Sequence, residues 1–253
     1  MLAIIGGSGL GSLSAMQSTR LVNMATPYGQ PSAPLTIGRL NQRDIVFLAR
    51  HGENHRLPPH RINYRANVWA LHAQGVKNIV AVATVGGIGA GWGAGTLAIP
   101  DQIIDYTWGR ASTYFDGEGD DPDGASAVKH IDFTQPYSET LRVALARAAH
   151  RAGEVVHAGG TYAATQGPRL ETAAEITRLA RDGADMVGMT GMPEAALARE
   201  LGLCYATLAV VVNAAAGTGA STTAIDLPQA EALGRALMAR VTKILSEVAA
   251  DGD

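Results

Sequence analysis

The sequence predicts an α/β fold: one domain over residues 1–253, with a mixed, mostly parallel sheet flanked by helices. Three observations predict it. Short apolar runs rich in Val, Ile and Leu read as strands buried on both faces. Between them lie segments whose apolar residues recur at helical spacing, the alternation that builds α/β layers. The length of 253 residues, 47% hydrophobic and 17% charged, suits one sizeable soluble core, with no internal repeat or low-complexity tail to divide it.

In chain order, strands are predicted at residues 2–5, 45–49, 78–84, 102–105 and 205–212. A helix over 62–74 is stopped by Gly75. A second, 138–151, repeats Leu141, Leu145 and Ala148, with Ser138 as N-cap and Gly153 beyond its end. Shorter helices follow at 170–181 and 195–201, and a long one at 228–249 starts beside Pro228. Another strand falls within 183–200, ahead of a Met-Thr-Gly-Met turn. Residues 115–127, acidic and Gly-rich, read as an exposed loop. The uncharged stretches 78–100 and 201–225 have the length of membrane spans. Their glycines and polar residues, such as Gly86, Gly89, Asn213 and Ser221, instead read as a buried strand followed by a loop.

Composition narrows the function. A net charge of −3 with scattered basic residues gives no footprint for nucleic acid or an anionic membrane. A single cysteine, Cys204, allows no internal disulfide and suits a reducing compartment. No basic n-region marks a signal peptide, so a cytoplasmic location is expected.

Four segments carry chemistry. The first, IIGGSGLGS, empties a strand into a glycine loop. Dinucleotide spacing fails, because serines stand where the third glycine should be and the first acid of the chain is Asp44. A P-loop fails too, since no lysine precedes Lys77. What survives is either an unliganded turn or a backbone nest, with Ser8, for a small oxyanion.

The second segment, RHGENHRLPPHRINYRAN, concentrates Arg50, His51, His55, Arg56, His60 and Arg61 after a buried strand. Its His and Glu residues make a poor metal motif, because Gly52 and Pro58–Pro59 preclude the helix such a motif requires. An arginine fork suits phosphate, and a solvated basic loop is the plain alternative. In the third, GTYAATQGPRLETAAEI, Glu171 and Glu175 fall at helical spacing. Glu171 is either a helix-dipole partner or an acceptor for the N–H edge of a heterocycle. The fourth, GADMVGMTGMPEAALARE, sets Thr190 beside a helix N-terminus, with Met189 and Met192 readable as core filler.

Together and in order, these segments, with VATVGGI, DQIIDYTWGR and CYATLAVVVNAAAG, resemble the trimeric purine nucleoside phosphorylases and their methylthioadenosine phosphorylase relatives. The resemblance covers most of the chain and implies a nucleoside-phosphorylase-like fold and a homotrimer. It implies cleavage of a glycosidic bond by inorganic phosphate, a co-substrate, without cofactor, metal or covalent enzyme intermediate. Phosphate is expected at Ser8, Arg50, His51, Thr84 and Thr190, and Met189 against the sugar. Val85, Gly86, Leu170, Val187, Gly188 and Ala215 are expected to line the nucleoside site, with Glu171 and Asn213 on the base edge. Asn213 and His51 are the expected catalytic residues.

The pair Glu171 and Asn213 is that of the inosine and guanosine enzymes, whereas the methylthioadenosine enzymes have serine and aspartate there. A 6-oxopurine is therefore expected. No histidine follows His157 to meet a 5′-hydroxyl, and Ile225 offers an apolar 5′ wall. His130 is expected to reach that pocket from a neighbouring subunit. The implied substrate is 5′-methylthioinosine; the alternatives are a general inosine and guanosine phosphorylase, a methylthioadenosine phosphorylase, or a purine-binding sensor on the same scaffold.

Overall fold

The structure, a computed structural model, describes residues 1–117 and 128–250. Residues 118–127 of the acidic loop expected at 115–127 lie outside the described residues.

The chain begins with β1 (Leu2–Gly6), then the edge strands β2 (Gln17–Val22) and β3 (Leu35–Leu40), then β4 (Arg43–Ala49). Helix α1 (Tyr64–Ala73) leads to the long β5 (Asn78–Gly87), β6 (Leu97–Ile99) and β7 (Gln102–Asp105). Next come α2 (Glu139–Arg151), β8 (His157–Ala158), β9 (Thr161–Ala164), α3 (Ala173–Arg181) and β10 (Met186–Gly188). Finally α4 (Gly191–Glu200), β11 (Cys204–Ala214) and α5 (Leu227–Ala250) complete the fold.

The strands form one sheet in the order β2-β3-β4-β1-β5-β10-β9-β7, with β11 joining β5 to β6, and β8 beyond β6. Strands β1, β4, β5 and β11 run parallel, and antiparallel pairs occur at β2–β3–β4, β5–β10 and β6–β11. Alternate residues of β1 point to opposite faces. Ala3 and Ile5 pack with Val68 and Leu71 of α1 and Ala195 and Ala198 of α4. Leu2 and Ile4 pack with Leu145 of α2 and Val241 and Ile244 of α5.

Two irregularities of this sheet make the site. First, β5 changes neighbours along its length. Its start pairs with β1 as far as Ala81, and its end pairs with β10 at Gly86 and Gly87. Residues 82–85 thus face a gap between the end of β1 and the end of β10, the kind of switch point at which open sheets bind ligands. Second, on its other side β5 pairs with β11 in register up to Val85–Val211, and then Gly86 pairs with Asn213. The extra residue, Val212, is a bulge that re-aims the strand end.

The predicted strands all form, β5 and β11 running further than expected because their ends still find ladder partners. Helix boundaries differ more. The helix expected from residue 170 begins at Ala173, because Thr172 accepts from the Glu175 N–H and Glu175 accepts from the Thr172 N–H. That capping box leaves Leu170 and Glu171 in the loop before α3, so Glu171 is not on the helix. The helix expected from 195 forms from Gly191, with Met192 extended (φ −118°, ψ 141°) just ahead of Pro193. Ser138 caps α2 as expected, and Asn63, accepting from the Ala66 N–H, moves the start of α1 to Tyr64. Strands β2, β3, β6, β8 and β9 were not anticipated, being exposed, or only two to four residues long, or both, except for β3. Among the described residues no helix is long and apolar enough to cross a membrane.

Candidate active site

The loops after β1, β4, β9 and β10 and the ends of β5 and β11 surround two adjoining cavities, of about 530 and 390 Å³. Ser8, Thr84, Leu170 and Met189 line both, so the two are parts of one cleft. The smaller adds Arg50, His51 and Thr190, and the larger adds Glu171 and Asn213. Val85, Gly86, Val187, Gly188, Ala215 and Ile225 also line the larger one. Of the residues expected to contact phosphate or nucleoside, all but His130 line one of the two cavities; His130 is exposed and lines neither.

The smaller cavity is built around a buried arginine. Arg50, 1% exposed, donates from Nε and Nη2 to the Glu194 carboxylate at 2.8 and 2.9 Å and from Nη1 to the Val82 carbonyl at 2.9 Å. That carbonyl belongs to the part of β5 beyond its pairing with β1, so the arginine takes the place of a strand partner on that side. Three of its five N–H groups are thereby used and two remain. Burial works against the charge, but the fully buried Glu194 outweighs it and holds the guanidinium in its charged form. Tyr205 donates its hydroxyl to Glu194 Oε1 at 2.8 Å and completes the network.

The glycine loop closes tightly over this group. A Cβ on Gly7 would stand 2.4 Å from the Val82 carbonyl oxygen and 3.1 Å from Arg50 Nη1, so any side chain would push the loop away. The Arg50 N–H donates to the Gly6 carbonyl at 3.1 Å and ties the two loops together. Thr190 is the N-cap residue of α4; its hydroxyl makes no capping bond but hydrogen-bonds to the Tyr162 hydroxyl behind it, at the wall of the cavity.

His51 is 6% exposed, with Nδ1 2.8 Å from the Leu57 carbonyl. A carbonyl only accepts, so Nδ1 carries the proton and Nε2 presents a lone pair. Burial, then the neighbouring Arg50 charge, push its pKa down to about 4, so the ring is neutral near pH 7. A neutral Nε2 accepts a hydrogen bond, which suits the O–H of a protonated oxyanion. Its ring stacks on His55 at 4.2 Å, and His55 lines both cavities. Asn54 and His55 both have φ of 55°, a strained loop of the kind found at ligand sites.

In the larger cavity the bulge at Val212 sets Asn213 beside Gly86. Asn213 Nδ2 donates one proton to the Ala214 carbonyl at 2.7 Å, leaving its second proton and Oδ1 for a ligand. Glu171 Oε1 accepts from Thr165 Oγ1 at 2.6 Å. The far wall is apolar at Val212, Ile225, Leu227 and Ala230, with Glu231 and Arg235 beside it.

Several contributors were not found in the sequence. Glu194 and Tyr205 lie 144 and 155 positions from Arg50, and no local pattern links them. Arg110 is another. It donates to the carbonyls of Met189, Met192, Thr165 and Gln166 at 2.9, 2.6, 3.3 and 2.8 Å, clasping the two turns that carry Met189 and Glu171. All four of these partners are main-chain atoms, which leave no sequence signature. Met192 is buried in the core, whereas Met189 lines the cleft.

An α/β fold with a cationic cavity opening into an apolar one, at a switch in the sheet, defines a protein that brings a small oxyanion to an organic ligand. The profile of the Phosphorylase superfamily matches residues 1–248, and the chain belongs to that family. It is 52% identical over 246 residues to a probable S-methyl-5′-thioinosine phosphorylase of Pseudomonas syringae pv. tomato, covering 97% of each chain. It is 48% identical over 216 residues to the 6-oxopurine nucleoside phosphorylase of Pyrococcus furiosus, covering 85% of this chain and 80% of that one. Methylthioadenosine phosphorylase from Schistosoma mansoni, in complex with adenine, superposes with a TM-score of 0.90 at 32% identity, covering 98% of this chain and 90% of that one.

Proposed function

We propose that this enzyme cleaves S-methyl-5′-thioinosine with inorganic phosphate, releasing hypoxanthine and 5-methylthioribose 1-phosphate. The observation that carries the reading is the divided cleft: a cavity holding Arg50, His51 and Thr190 opens, past Ser8, Thr84 and Met189, into one holding Glu171 and Asn213.

Phosphate sits in the smaller cavity on Ser8, Thr84, Thr190 and the two remaining N–H groups of Arg50. Its own O–H donates to His51 Nε2, so the oxygens that face the sugar are the negative ones. As the glycosidic bond breaks, the sugar becomes an oxocarbenium-like cation that the phosphate stabilises before attacking it. Negative charge grows on the purine. Asn213 offers its free Nδ2 proton to N7, where that charge collects, a contact that strengthens as the base leaves. Glu171 accepts the N1–H of a 6-oxopurine; against the N1 lone pair of adenine the same carboxylate is repelled, which leaves a buried acceptor without a partner.

At the 5′ end, Val212, Ile225, Leu227 and Ala230 suit a methylthio group better than a hydroxyl. A general 6-oxopurine nucleoside phosphorylase is the second reading, favoured by Glu231, Arg235 and His55, polar groups lining the same cavity. We propose a cytoplasmic enzyme and a homotrimer in which His130 reaches a neighbour's 5′ pocket, as suits a residue that is exposed and lines neither cavity of its own cleft. Sedimentation equilibrium should give three chain masses; a monomer with full activity would contradict that assembly. Phosphate dependence tests the reaction itself. Hypoxanthine release is expected with phosphate and not without it, and equal rates in both buffers would identify a hydrolase instead.

A further inference from the structure

Glu171 borders two cavities. On one side is the nucleoside cavity; on the other is a third, of about 410 Å³, lined by Thr165 and Gln166 together with Tyr106, Trp108 and Arg178. Thr165 lines only the third, so it approaches the glutamate from behind and does not touch the nucleoside.

Thr165 is held at both ends of its peptide unit. Its N–H donates to the Gly188 carbonyl at 2.8 Å, and its carbonyl accepts from Arg110 Nη2 at 3.3 Å. The hydroxyl has two acceptors within reach, Glu171 Oε1 at 2.6 Å and Gly188 O at 3.3 Å. One proton serves one of them, and the short contact to the carboxylate is the stronger. Among the described residues no other side chain forms a hydrogen bond with Glu171. Oε1 therefore gives one of its two lone pairs to the rear, and Oε2 keeps both for the ligand.

We propose that Thr165 is a specificity-determining positioning residue: by occupying Oε1 of Glu171 it fits the site to a purine with one donor on that edge, hypoxanthine, and against one with two, guanine. Hypoxanthine presents N1–H alone, which Oε2 accepts. Guanine presents N1–H and an adjacent 2-amino N–H, a pair that engages both oxygens of a carboxylate, and here Oε1 is pulled toward Thr165 and weakened as an acceptor by the bond it already takes. The inference deepens the 6-oxopurine reading and rests on it; it does not depend on the 5′ group.

The test compares kcat/KM for inosine and guanosine, and separately for their 5′-methylthio analogues, in wild type, Thr165→Val and Thr165→Ser. Wild type is expected to favour hypoxanthine over guanine in whichever sugar series it accepts. Thr165→Val is expected to shrink that preference about tenfold, the worth of a hydrogen bond to a charged group, and leave the KM for phosphate unchanged. Thr165→Ser keeps the hydroxyl and should retain the wild-type ratio. Equal loss on both bases in Thr165→Val, or a wild type indifferent to the 2-amino group, overturns the proposal. If Thr165→Val does not fold, the wild-type preference and Thr165→Ala decide it by the same ratio. A wild type that phosphorolyses inosine but not its methylthio analogue refutes the 5′ assignment and leaves this ratio to be read on its own. A wild type active on neither 6-oxopurine refutes both.

Discussion

At the residue scale the cleft depends on one buried ion pair. Arg50 and Glu194 are 1% and 0% exposed, so neither charge is stable there without the other. Removing one partner of such a pair costs about 3–5 kcal/mol, because the remaining charge is left buried and unpaired. Glu194→Ala should therefore lower the unfolding free energy by that order in urea titration. It should also raise the KM for phosphate, as Arg50 loses the anchor that aims its free N–H groups.

His51 makes a separate prediction about pH. Its folded pKa of about 4 lies below its ordinary 6.5, so between those values the unfolded chain binds a proton that the folded chain does not. Stability thus rises with pH across this window and is lost as pH falls from 6.5 toward 4, by up to about 3 kcal/mol. Urea midpoints at pH 7 and pH 5 should show this slope, and His51→Gln should flatten it.

The residue types of the site were legible in the sequence because the loops that bear them are local: GGSG, RHG and GMTG each keep their chemistry within a few positions. The supports were not. Glu194 and Thr165 belong to no local pattern that would mark them. Their meaning comes from partners that only the folded chain brings near.

At the scale of elements, apolar runs located the central strands well, since burial on both faces leaves a continuous signal. Edge strand β2 escaped because five of its six residues are exposed and carry no alternation. The start of α3 was misjudged although Thr172 and Glu175 form a capping-box pair three apart, a signal that helical spacing alone overrode. The bulge at Val212 had no sequence mark, being one valine among three. Yet it sets the register of Asn213 against Gly86. Deleting Val212 should give a folded protein, judged by circular dichroism, in which successive residues beyond Val211 face the opposite side of the strand. Turnover is expected to drop at least about a hundredfold, the scale for losing a donor that acts in the transition state. Near-normal kcat would show that the bulge does not aim Asn213.

At the scale of the whole molecule, function follows from a strand that trades neighbours. Because the ends of β1 and of the antiparallel β10 do not meet, four residues of β5 face a gap, and the loops from β1 and β4 fold over it with Arg50. The cationic cavity and the nucleoside cavity are two ends of that single opening. On the proposed reading, this arrangement lets one chain present phosphate to a sugar while holding the base by its edge. It also makes the choice of nucleoside a question about Glu171 and Asn213 at one end and Ile225 and its apolar neighbours at the other.

The most direct measurement is therefore a side-by-side comparison of kcat/KM, at saturating phosphate, for 5′-methylthioinosine, inosine and 5′-methylthioadenosine. The account predicts the highest value for methylthioinosine, a lower one for inosine, and little turnover of methylthioadenosine. Efficient phosphorolysis of methylthioadenosine would contradict it, because the Glu171 carboxylate could not then be reading the purine edge.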